Sequence, residues 1–128
     1  MFVDSNVWIA HVNKRDKWRA HAEKIMEEIK FKEVRVTKGI VLETVNFLFR
    51  KNGKSAAEKM LDAFTLGAEI EIVETTEAVW QKALEYFRKY ELSLVDAEIV
   101  AHMEAWGDKK LYSFDRGFDQ VKWIERIG

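Results

Sequence analysis

An α/β domain built on a parallel sheet is the fold this sequence predicts, and three observations carry it. Short strand-like runs alternate with helical patterns from end to end, so successive strands need crossover connections and lie parallel. The chain has no proline, and its glycines at 39, 53, 67, 107, 117 and 128 fall mostly between periodic segments, where they can end helices. Four acidic residues, Asp4, Glu43, Asp96 and Asp115, stand where such a sheet would gather them at one end. Ligands of open α/β sheets bind at the carboxyl ends of the strands.

The elements follow in order. Residues 1–4 read as a strand whose Phe2-Val3 is of buried type, running straight into Asp4-Ser5-Asn6. Helical patterns cover about 5–12 and about 17–30, and a strand at about 33–37 ends on Thr37. Helices are predicted at about 39–51 and about 54–66, then a strand from Glu69 to Val73. Two more helices, at about 76–90 and about 93–106, lead to a strand from Lys109 to Ser113 and a short apolar stretch at 121–127. No repeat, linker or low-complexity segment interrupts the pattern.

At 128 residues the chain suits one domain, 1–128, burying roughly two-thirds of the surface its unfolded form exposes. The composition, 48% hydrophobic and 34% charged, is that of a charge-rich globular protein. No apolar run approaches the ~20 residues of a membrane span, and the first residues lack a signal-peptide pattern, so a cytoplasmic location with no membrane partner is the expectation. The absence of cysteine excludes disulfides and thiolate metal sites. A formal net charge of −1 offers no overall attraction to nucleic acid. Any such attraction must come from local patches, Lys14, Arg15, Lys17 and Arg19, or Arg50, Lys51 and Lys54, and a charged run is more often a solvated helix face.

Each acid has a structural explanation beside a functional one. Asp4 sits at the end of a strand, where a carboxylate can take part in a site for hard cations such as magnesium or manganese; Asp is equally a favoured helix N-cap. Ser5 and Asn6 add polar groups able to bond a metal-bound water or a phosphate, or to cap. Glu43 aligns by helical spacing with Asn46, Phe47 and Arg50, so alone it reads as a solvent-facing residue paired with Arg50. Its place one turn past the Thr37 junction still lets it reach the sheet end. Asp96 shares a helical stripe with Ile99, Val100 and Met103, and a half-buried carboxylate needs a reason. A capping box with Ser93 would supply one, although that motif prefers Glu or Gln at the third position. Asp115 precedes Arg116-Gly117-Phe118-Asp119, a turn sequence, and loops after strands are also where α/β sites are built. Asp119 either adds an acid to the cluster or caps the next turn.

The remaining residues offer less. His11, His21 and His102 lack metal-binding spacing and read as surface or core residues, and the Trp and Phe residues fall mainly at apolar positions, which predicts core. No Walker loop, GxGxxG or GxSxG occurs.

Taken together, Val3-Asp4-Ser5-Asn6, Thr37 with Glu43 six residues later, Leu92-Ser93-Leu-Val-Asp96-Ala97 and Ser113-Phe-Asp115-Arg-Gly-Phe118 resemble the PIN domain, in its small single-domain form found in VapC-type toxins of prokaryotes. The likeness runs from the first residues to Phe118, with Ser5 and Ser113 where many relatives have Thr. It implies a three-layer α/β domain with a central parallel sheet of four to five strands flanked by helices. It also implies a metal-dependent endoribonuclease in which Asp4, Glu43, Asp96 and Asp115 bind Mg²⁺ or Mn²⁺, supported by Ser5, Asn6, Thr37 and Ser93. Carboxylates holding one or two such ions would activate a water for in-line attack on an RNA phosphodiester. A small antitoxin partner and a homodimer are implied by the same resemblance. The alternatives are an RNA-processing nuclease without an antitoxin, a catalytically silent PIN-like scaffold, and a receiver- or phosphatase-type phosphoryl-transfer protein, whose usual Asp-x-Asp is broken here by Asn6.

Overall fold

A computed structural model describes all residues, 1–128. Five strands, β1 (Phe2–Val3), β2 (Val34–Thr37), β3 (Ile70–Val73), β4 (Lys110–Tyr112) and β5 (Glu125–Ile127), form one sheet in the order β3-β2-β1-β4-β5. Every neighbouring pair is parallel, with Phe2 in register with Arg35 on one side and Leu111 on the other. Six helices fill the crossovers: α1 (Ser5–Val12) and α2 (Arg19–Ile29), α3 (Lys38–Asn52) and α4 (Lys54–Leu66), α5 (Glu77–Lys89) and α6 (Leu94–Trp106). A 3₁₀ turn, Arg116–Gln120, precedes β5.

The predicted α/β sheet is therefore present, with the apolar stretch at 121–127 supplying the fifth strand at its end. Consecutive residues of a strand point to opposite faces. Phe2 and Val3 are both fully buried, as are Leu111 and Tyr112, so the sheet centre is covered on both sides, as parallel sheets require. The core joins these strands to Val7 and Trp8 of α1, Ile40 of α3, Phe64 of α4 and Ile99, Val100 and Met103 of α6.

Strand order decides where a site can form. The chain moves from β1 outward through β2 to β3, then returns to the opposite side of β1 for β4 and β5. The reversal falls between β1 and β4, and the carboxyl ends of strands beside such a switch point border a crevice. Asp4 directly follows β1, and Ser113 and Asp115 follow β4.

Two expectations fail. The aromatic residues are not mainly core: Trp8, Phe2, Phe64 and Phe118 are buried, but Trp18, Trp106, Trp123, Phe31, Phe49 and Phe87 are exposed. Apolar character alone does not say which way a residue at the edge of a helix stripe faces. Glu43 does not pair with Arg50, because its carboxylate is turned to the Ser5 hydroxyl instead.

Candidate active site at the carboxyl end of the sheet

Polar residues that begin helices bring the acids together. Asp4 is the N-cap of α1, accepting from the Ser5 N–H at 2.7 Å. Thr37 caps α3 through the Ile40 N–H at 3.0 Å, and Ser93 caps α6 through the Asp96 N–H at 3.1 Å. Capping satisfies otherwise orphaned N–H groups and starts each helix at the sheet's end. Gly39 lets the first turns of α3 and α6 approach closely, since a Cβ there would lie 3.1 Å from Val95 and 3.5 Å from Glu98. Asp96 lies in that first turn of α6.

Asp4 is the anchor. It is 3% exposed, and its two oxygens accept from Ser5 on one side and from the Ser113 hydroxyl (2.7 Å) and Asn6 Nδ2 (3.3 Å) on the other. Ser113 Oγ in turn accepts from Asn6 Nδ2 and from the Asp115 N–H, at 3.2 and 3.1 Å. Asn6 Oδ1 accepts from the Phe114 N–H at 3.2 Å. Asn6 and Ser113 thus tie the start of α1 to the loop after β4. Ser5 bridges to Glu43, its hydroxyl lying 3.1 Å from Glu43 Oε1. Asp115 accepts from the Gly117 N–H at 2.8 Å, capping the 3₁₀ turn.

Electrostatics show that the four acids share one neighbourhood. Burial pushes the Asp4 carboxyl up to about 6, against hydrogen bonds from Ser113 and Ser5 that lower it, while the charges of Glu43 and Asp115 raise it further. Asp96 is pushed up to about 7, first by burial and then by Asp4, Asp115 and Glu43, with Ser93 opposing. None of the four acids makes an ion pair with Lys, Arg or His. Carboxylates this close favour proton uptake or a cation.

Both explanations of Asp4 therefore hold at once, since a capping residue can also present its remaining lone pairs. At Asp96 half of the capping box forms: Ser93 caps, and no bond returns from the Asp96 carboxylate to the Ser93 N–H. Asp119 is engaged elsewhere, in a two-point pair with Arg126 at 2.9 and 3.3 Å, which holds its carboxyl below the usual range through that hydrogen bond. It does not join the four. His102 is buried against Phe2, with Nε2 2.9 Å from the Thr75 hydroxyl, and His11 lies beside Glu23. Ser113 is the residue that sequence reasoning left out of the site; its place two residues before Asp115 was the available signal.

The donor set fits a hard divalent ion: oxygen ligands of like charge with no internal counter-charge. As the side chains stand, no three acidic or histidine groups are close enough together to hold a metal ion. Beside the acids opens a cleft of about 370 Å³, lined by Ser5 and Glu43 together with Ile9, Leu42, Asn46 and Arg50. Arg50, which lines this cleft, forms no ion pair with the acids.

Comparison with known proteins agrees with this arrangement. The PIN domain family profile matches residues 1–124. The chain belongs to the PIN domain family. No curated protein matches the sequence significantly. Among solved structures, this PIN domain is similar to VapC20 of Mycobacterium tuberculosis, described as a sarcin–ricin-loop-cleaving toxin, with 27% identity, a TM-score of 0.85 and 97% and 96% of the two chains covered. It also resembles VapBC2 of Rickettsia felis bound to a promoter DNA fragment, at 14% identity, TM-score 0.73 and 98% and 96% coverage. FitAcB of Neisseria gonorrhoeae matches at 12% identity, TM-score 0.69 and 99% and 96% coverage. The last two likenesses concern the fold alone. No helix is long and apolar enough to cross a membrane.

Proposed function

We propose that this protein is a Mg²⁺- or Mn²⁺-dependent endoribonuclease that hydrolyses RNA phosphodiester bonds, acting as the toxin of a toxin–antitoxin pair. The observation that carries the reading is the gathering of Asp4, Glu43, Asp96 and Asp115 at the switch point with no cation among them. Family membership and the likeness to an RNA-cleaving toxin support it.

Asp4, Glu43, Asp96 and Asp115 would hold the ion, Glu43 from the rim of the cleft. When bound, such an ion supplies a water of lowered pKa and positive charge for the phosphate oxygens. The protein's own share is positioning. Ser113 and Asn6 fix the rotamer of Asp4, and Ser5 holds Glu43 toward the others. Thr37 and Ser93 act from further back, by starting α3 and α6 where their positive N-terminal ends face the acids. Arg50, across the cleft from Ser5, offers a bidentate donor to a substrate phosphate.

An antitoxin partner and a homodimer belong to the same reading, as the family resemblance implies, and a toxin–antitoxin complex from Klebsiella pneumoniae shares this fold. Leu42 and Phe49 of α3 and Leu61 of α4 are among the exposed large apolar residues that could serve such contacts. Light scattering of the protein alone checks the dimer.

Cleavage of single-stranded RNA in Mg²⁺ or Mn²⁺, stopped by EDTA and absent in Asp4→Ala, is the expected result. Cleavage that persists without metal in preparations free of contaminating nuclease, or in that variant, overturns the proposal.

A further inference from the structure

We infer that Trp18, stacked on Phe114 at the edge of the acidic site, is a platform for an RNA base next to the cut phosphate, with Lys14, Arg15 and Lys17 holding the neighbouring phosphates. The inference rests on the nuclease reading and adds to it the element that grips the substrate.

The location comes first. Phe114 lies between Ser113 and Asp115, and its N–H donates to Asn6 Oδ1, so its backbone is held by a residue that also bonds Asp4. Trp18, from the loop between α1 and α2, stacks on it with ring centroids 5.0 Å apart and planes 12° from parallel. The His21 ring stands edge-on to both, at 5.3 and 6.3 Å. Trp18 nevertheless remains 37% exposed, and the ring it stacks on belongs to the residue directly before Asp115.

The loop is built to hold this ring. Arg15 N–H donates to Asn13 Oδ1 at 3.3 Å, Asp16 N–H to the Asn13 carbonyl at 3.0 Å, and Trp18 N–H to Asp16 Oδ1 at 2.8 Å. Lys14, Arg15 and Lys17 are exposed and form no ion pair, whereas Arg19 is engaged with Glu23 at 3.6 Å. Lys17 Nζ lies over the Trp18 ring, 5.6 Å from its centroid.

Charge then favours RNA as the occupant. Unneutralised carboxylates repel phosphates, and a net charge of −1 gives no general attraction, so the grip on RNA must be local. Free cations around an exposed aromatic face are the combination that binds single strands, because every base has a face to stack and every nucleotide a phosphate. The cations alone would be a solvated loop; their joining to a ring stacked against the site loop is what selects this reading.

The test measures binding of a labelled short single-stranded RNA in EDTA, beside a series in which each nucleotide in turn is abasic. W18L keeps apolar packing on Phe114 but removes the π-face, and W18F keeps a smaller one. Stacking predicts that W18L binds roughly tenfold more weakly and W18F nearly as well as wild type. One abasic position should weaken binding to wild type and leave W18L unaffected, a coupling that a merely structural role does not produce. K14Q, R15Q and K17Q together change only exposed side chains and should lower the salt dependence of log K by about two, at roughly 0.7 per phosphate contact. Wild-type affinity in W18L, as expected if the ring only packs the loop or docks a protein, overturns the inference. An unchanged salt slope, no abasic position that matters to wild type, or no RNA binding at all does the same. The nuclease reading is judged separately, by wild-type cleavage in Mg²⁺: cleavage with Trp18-independent binding removes only the platform, and Trp18-dependent binding without cleavage removes only the nuclease.

Discussion

The two ends of the sheet treat acidic side chains in opposite ways. At the amino end, Asp108, just before β4, takes both the Met1 amino group and Arg35 Nη1, the latter at 3.5 Å. Arg35 also lies 3.9 Å from Glu71 and stacks over Trp106 at 4.0 Å. At the carboxyl end, four acids meet with no cation beside them. An acid that has found its counter-charge is part of the scaffold, whether half-buried like Asp108 or exposed like the Arg126-bound Asp119. Acids brought together without one lower stability, a cost that the proposed reading assigns to binding a cation.

If that contrast is sound, the largest effect comes from Asp4. Replacing it with Ala should reduce RNA cleavage by at least about 100-fold, since the loss of groups that merely support metal ligands already costs 10–100-fold. Thermal stability should change little or rise, because a buried, unneutralised carboxylate is removed together with its cap. Single-turnover cleavage and a melting curve on one preparation check both halves.

The amino end should answer the other way. Asp108→Ala strands Arg35 in a half-buried position and should destabilise the protein by about 1–3 kcal/mol, between exposed and buried ion pairs. Per folded molecule, cleavage should stay near wild type. A urea titration and an assay well below the melting temperature separate the two; a large loss of cleavage in the folded variant would erase the division between the sheet's ends.

Glu43 lies between these extremes. It is exposed, and its one recorded bond is from Ser5. Glu43→Gln keeps the shape and an oxygen but weakens a hard-ion ligand, so cleavage should fall by about tenfold, partly recovered at high Mg²⁺, with no change in melting. Full activity would return Glu43 to the surface of the cleft.

The sequence disclosed much of the fold because binary pattern and capping chemistry acted together. Ser93 marks a helix start by residue type and caps as expected, while Thr37, read as a strand end, also caps the helix that follows. Asp4, Asp96 and Asp115 could be placed because each lies within about one turn of a strand end or helix start, where rotational uncertainty is small. Other features depended on contacts between distant segments. Ser113 bonds to Asp4 across 109 positions, and Trp18 finds Phe114 only after α1 closes on the sheet; no local period encodes either. Glu43 shows the limit, since helical spacing allowed Arg50 as its partner and the packing of α1 against α3 chose Ser5.

The smallest effect, and the sharpest comparison, belongs to Asp96. Its carboxyl and that of Asp4 are raised in the folded protein, to about 7 and about 6, from 3.8, so the native state holds their protons more tightly than the unfolded chain does. The metal-free protein should therefore be most stable at acid pH, lose stability as pH rises from the unfolded carboxyl range through about 6 and 7, and level off above. Asp96→Asn cannot ionise and should escape its share of that decline. At about pH 8 in EDTA the variant should be more stable than wild type by about 1 kcal/mol, a figure reduced for solvent screening at a half-buried site. At about pH 3, below the unfolded carboxyl range, the two should nearly coincide. Mg²⁺ should raise the wild-type melting temperature more than the variant's, because an ion bound by the native state stabilises it by mass action. A purely capping Asp96 predicts the reverse sign: removing a negative charge from the first turn of α6 would cost about 0.3–1 kcal/mol in EDTA and in Mg²⁺ alike. Melting curves of both proteins at the two pH values, with and without metal, decide between an acid placed for a ligand and one placed for its helix.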